Sequence, residues 1–119
     1  MNKWLVPVVM AAAMAVSATS AAAAGKLGDL VSFERMAHDT LLLVDKGELK
    51  AAEKRITDFE TAWDKAEPTL RPKDKSAWGV IDDAADAAIE SLRAASPDAT
   101  KAQRTVSALV DTIRHPVAE

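Results

Sequence analysis

Two histidines and, past the first 24 residues, one methionine are the side chains of this sequence with the donor atoms for a soft or borderline metal, or for haem iron. Met36 and His38 lie in the first third of the chain and His115 near its end. If the segments carrying them run side by side, they form a candidate cofactor-binding set. The carboxylates Asp82, Asp83, Asp86 and Glu90 recur within nine positions. On a helix, residues four apart are neighbours, so Asp82 meets Asp86 and Asp86 meets Glu90, and each like-charge pair costs a few tenths of a kcal/mol. A divalent cation or a basic partner would relieve that repulsion. A hard cation takes about six or more oxygens from converging segments, which one outward helix face does not supply, so these acids read as a solvated face and no metal site is assigned. Arg71, Lys73 and Lys75 surround Pro72. They are the candidate contacts for an acidic partner, although three charges are too few for stable membrane binding.

Catalytic constellations are missing. There is no cysteine nucleophile, no Gly-rich phosphate loop and no His-Glu-x-x-His zinc motif. The four glycines, at 25, 28, 47 and 79, are scattered. Without Cys-x-x-Cys-His, haem cannot be attached covalently. The chain therefore reads as a non-enzyme.

The elements that must position these residues are helices. Apolar residues recur at alternating steps of three and four, the period of one helix face. The first helix is expected over 29–46, with Leu30, Phe33, Ala37, Leu41 and Val44 as its stripe, Asp29 as cap and Gly47 as left-handed stop. The second is expected over 48–67, with Leu49, Ala52, Ile56, Phe59, Trp63 and Ala66, and Pro68 ending it. The third spans 74–95 with Trp78, Ile81, Ala85, Ala88, Leu92 and Ala95. The fourth spans 97–114 with Ala99, Ala102, Val106, Leu109 and Ile113; Ser96 is its expected cap and Pro97 its first residue.

No segment alternates with period two, and short connections favour antiparallel neighbours. The expectation is an all-α, up-down-up-down antiparallel four-helix bundle, with alanines at the seams bringing helix axes to about 8 Å. Residues 68–73 form the expected irregular loop. Trp63 just before it and Trp78 just after it fall at one level of a helical hairpin, where they pack together as structural residues closing that end.

The opening 24 residues have another pattern. Lys3 gives a positive start, Trp4 to Val16 an apolar core, and Ser17 to Ala24 a small-residue stretch. That order is a cleavable signal peptide, too short in its apolar part for the ~20 residues of a membrane span. Cleavage after Ala24, uncertain by a residue, leaves one domain, 25–119, periplasmic or secreted. Losing Lys3 takes the formal net charge from −3 to −4, which argues against nucleic acid as partner. With no cysteine, neither disulfide nor lipid attachment is open to it. Stability must come from helix packing, a ligand or self-association. The expected state is a monomer or weak homo-oligomer, without stable membrane insertion after cleavage. Self-association would use exposed apolar residues such as Leu43 and Val110.

The run Asp58, Glu60, Ala62, Trp63, Asp64, Ala66, Glu67, Leu70, Pro72 and Trp78 resembles a segment of small secreted bacterial helical-bundle proteins of unknown function, with Trp-Asp-x-Ala-Glu at its centre. The likeness covers about a fifth of the chain and implies an exported helical domain without naming site residues. A second resemblance is architectural. A Met or His on the first helix, with a His late on the last, is similar to the periplasmic b-type cytochrome bundle. That implies haem b held by Met36 or His38 together with His115. The leading expectation remains an exported binding or accessory protein with an unknown protein partner in the periplasm. Haem or metal binding is the alternative.

Overall fold

The computed structural model describes residues 25–116; the expected leader and the last three residues lie outside that range. Among the described residues there is no strand, and four helices pack together: α1 Val31–Asp45, α2 Leu49–Leu70, α3 Lys75–Arg93 and α4 Ala99–Arg114. Short 3₁₀ turns, Gly25–Leu27 and Arg71–Lys73, precede α1 and join α2 to α3. Each helix packs against two others, in the order α1, α2, α3, α4 and back to α1. No helix of the described residues is long and apolar enough to cross a membrane.

The helix ends follow local chemistry. Asp29 accepts the Val31 N–H at 2.9 Å, which supplies a partner for one orphan amide of the first turn. At the other end of α1 the N–H of Gly47 reaches Val44 O and that of Glu48 reaches Leu43 O, both at 2.9 Å. This double closure needs a left-handed residue, and Gly47 has φ +80°. Asp74 caps α3 by accepting from Ala77 N at 3.1 Å.

Two boundaries differ from the sequence reading. Pro68 does not end α2, which continues to Leu70 and then tightens into the 3₁₀ turn. The proline forfeits one hydrogen bond to the preceding turn, but Leu70 is buried beyond it and the Arg71 N–H donates to Glu67 O. The expected 68–73 loop is therefore helical, and the irregular connection is Ala94 to Asp98. Asp98, not Ser96, caps α4, accepting from Thr100 N at 2.9 Å, and Pro97 lies outside the helix. Proline disfavours helical geometry in the residue before it, and a carboxylate one position later serves the positive helix end. Ala95 and Ala99, expected on the apolar stripes, are consequently exposed.

The core holds Ala52, Ile56, Phe59 and Trp63 of α2, Ile81, Ala85, Ala88 and Leu92 of α3, and Ala102, Val106, Leu109 and Ile113 of α4. Val110 also belongs to it, at 3% exposure, so it is not available for self-association; Leu43 is half-buried, and among the described residues the exposed large apolar ones are Val31 and Leu42. On α1 a polar residue, Thr40, is fully buried, while Leu41 is only half-buried. Its hydroxyl donates to Met36 O at 2.8 Å, so burial leaves no orphan donor. Between α3 and α4 the hydroxyls of Ser91 and Thr105 meet at 2.7 Å; one donates to the other, and the accepting hydroxyl donates to a carbonyl of its own helix, Ala88 O or Ala102 O.

Candidate functional site

Three surface regions carry the side chains whose chemistry the sequence singles out. The first two touch one largely buried aromatic row. Phe33 of α1 meets Phe59 and Trp63 of α2 edge-on, with centroids at 6.0 and 5.2 Å. Phe59 and Trp63 stack at 5.8 Å, and Trp63 stacks on Trp78 of α3 at 5.7 Å, 8° from parallel. Such pairs add about 0.5–1.5 kcal/mol each beyond the area they bury. The two indoles expected to meet do meet, because one tight turn joins the end of α2 to the start of α3.

The first region is that turn. Arg71, Lys73 and Lys75 are all exposed on it. The Arg71 guanidinium lies 5.3 Å from the Trp78 ring centroid and pairs with Glu67 at 3.0 Å. It is therefore held by a cation–π contact and an ion pair, with its side chain half exposed. Lys73 and Lys75 have no acidic partner within 4 Å among the described residues. The turn Gly25–Leu27, with Lys26, packs against the 71–73 turn, and the Lys73 ammonium comes close to Gly28. The positive end is thus built from two segments.

The second region is acidic. Asp82, Asp83 and Asp86 offer carboxylate oxygens within 4.8 Å of one another. Asp82 does not sit on the outer face as expected; it is half-buried, and the Trp63 indole N–H donates to its Oδ1 at 3.1 Å. Burial raises the pKa of its carboxyl, the Trp63 hydrogen bond pulls the other way, and Asp86, Asp83 and Glu67 add to the rise. Asp86 is also raised, first by desolvation and then by Asp83, Glu90, Glu60 and Asp64. Three oxygens from one helix fall short of the coordination shell of a hard cation. The signal for Asp82's inner partner was its spacing of four from Trp78, which puts it beside the indoles.

The third region holds the candidate haem or metal ligands. Met36 is half-buried against the core, while His38 is exposed in an open groove of about 290 Å³ with Val31, Glu34, Arg35 and Arg114. Residues two apart on a helix point roughly 200° apart, so Met36 and His38 serve opposite sides of α1. His115 is exposed at the end of α4. Its neighbour Arg114 donates to Glu34, an ion pair between the first and last helices that the sequence reading did not anticipate. The groove thus brings His38 to the α4 end, while Met36 faces the core.

Trp78 contrasts with Trp63: its Nε1 is a buried side-chain donor without a partner among the described residues. Comparison with known protein families, characterised proteins and solved structures finds no match to this chain.

Proposed function

We propose that this chain is exported, periplasmic or secreted, and works as a non-enzymatic accessory protein that docks a protein partner of acidic surface through Arg71, Lys73 and Lys75. The observation that carries the reading is the set of three exposed cations on a tight turn, one of them fixed over Trp78, in a chain of net charge −3. Contacts on a rigid turn lose little conformational entropy on binding. The signal-peptide pattern of the first 24 residues supports the export part of the reading.

The proposed topology is up-down-up-down. Two ion pairs support it. Arg93 at the end of α3 reaches Glu60 at the middle of α2, and Arg114 at the end of α4 reaches Glu34 near the start of α1.

The test uses the host's periplasmic extract. Wild-type protein and the triple variant Arg71→Ala, Lys73→Ala, Lys75→Ala serve as bait, and any captured protein is then titrated in purified form. The reading requires a partner whose affinity falls in the variant and falls with added salt. Equal binding by both proteins, or a mature amino terminus that still carries residues 1–24, would overturn it.

A further inference from the structure

The seam between α2 and α3 places carboxylates on both of its sides. Asp82, Asp83, Asp86 and Glu90 come from α3, and Glu60, Asp64 and Glu67 from α2. The cations stand at its two ends. Arg93 takes Glu60 at one end, and Arg71 takes Glu67 at the other. In the middle, Asp64, Asp82, Asp83 and Asp86 have no cation within 4 Å among the described residues, and no group of α1 or α4 contributes to the charge felt by Asp82 or Asp86. The middle of the seam is also where it reaches the core, because Asp82 holds the N–H of Trp63, which is 2% exposed. Repulsion here acts directly on the contact that seats the aromatic row.

We propose that the α2–α3 seam is a proton-sensitive latch: the bundle holds tighter in mildly acidic solution than at neutral pH, because protons taken up at Asp82 and Asp86, whose carboxylate oxygens lie with that of Asp83 within 4.8 Å of one another, remove repulsion across and along the seam. The sign follows from linkage. The carboxyl pKa of Asp82 and of Asp86 lies above the ordinary aspartate value of 3.8 in the fold, so the folded chain binds more protons than the unfolded one. Stability then falls as pH rises through the window that opens at 3.8 and closes at their raised folded values.

The experiment is thermal unfolding by circular dichroism at about pH 5 and about pH 7.5. Wild type melts higher at the lower pH. The double variant Asp83→Asn, Asp86→Asn, both exposed positions, loses most of that gain by melting higher at neutral pH. The Asp111→Asn variant, on the exposed side of α4, keeps it. A carboxyl carbon-13 titration of Asp82 gives a midpoint above 3.8. Equal melting of wild type at the two pH values, a gain that survives in the double variant, or an Asp82 midpoint at or below the ordinary value overturns the latch.

Discussion

Replacing Asp82 with Ala separates the two things this carboxylate does. It accepts the Trp63 indole N–H at 3.1 Å, and it stands within a group of mutually repelling acids. Trp63 is 2% exposed, so its Nε1 cannot turn to water without disturbing the aromatic row. Orphaning such a donor costs about 1–3 kcal/mol. Relief of repulsion from Asp83 and Asp86 returns a few tenths per pair. The net loss for Asp82→Ala is about 1–2 kcal/mol, which lowers Tm by roughly 5–10 °C in a domain of this size. Asp82→Asn keeps an oxygen acceptor and removes the charge, so it stays within about 0.5 kcal/mol of wild type at neutral pH, on the stabilising side. Urea and thermal unfolding of the three proteins decide the matter. If Ala and Asn lose the same amount, the acceptor is irrelevant; if neither loses anything, Trp63 does not depend on Asp82 and the reasoning fails.

Further outcomes follow from the same structure. Trp78→Phe destabilises less than Trp63→Phe, by about 1 kcal/mol or more, because it deletes an N–H that already lacks a partner while the other change breaks the Asp82 bond; denaturant midpoints of the two variants show the order. Gly79→Ala raises stability by roughly 0.5–1 kcal/mol, since Gly79 lies inside α3 and an added Cβ there meets nothing within 4 Å. Gly47→Ala lowers it by about 1 kcal/mol, because φ +80° strains any residue with a Cβ; both changes are read from thermal melts. Ile56→Ala, at a fully buried position, costs about 2–5 kcal/mol by equilibrium unfolding.

Much of the fold is written in spacing. The stripes of α2, α3 and α4 run through the residues found buried, because burial demands apolar side chains at the helix period and little else competes there. The misreadings occur where a short-range rule met a tertiary contact. Pro68 is a valid stop signal, but it is overridden by Leu70, whose burial is decided by other helices. Thr40 breaks the α1 pattern because its hydroxyl is satisfied by its own backbone, which a polarity pattern does not register. Ser96 and Asp98 both make good caps, and the choice between them depended on how Pro97 bends the chain. For the surface, the sequence located the basic turn as a run of neighbouring cations. It placed the acids of α3 on one face, but the face of α2 they meet, with Asp64 and Glu67, came only from the packing of the two helices.

The basic turn and the acidic seam are not independent decorations of the bundle. Arg71 lies over Trp78, Asp82 holds Trp63, and the two indoles are stacked at 5.7 Å. Arg71 is also the cation that takes Glu67, which belongs to the acidic seam and adds to the rise at Asp82. A partner carboxylate that draws Arg71 outward therefore acts on two contacts at once. It weakens the hold on Glu67, leaving the seam more negative, and it uncovers one face of the ring beneath. A more negative seam binds protons more tightly. By reciprocity, protonation that relieves the seam changes the free energy of removing Arg71 from Glu67. The adjacency of the two charge patterns, opposite in sign and touching the same ring pair, gives the proposed docking end a physical route to sense pH without any titrating group of its own.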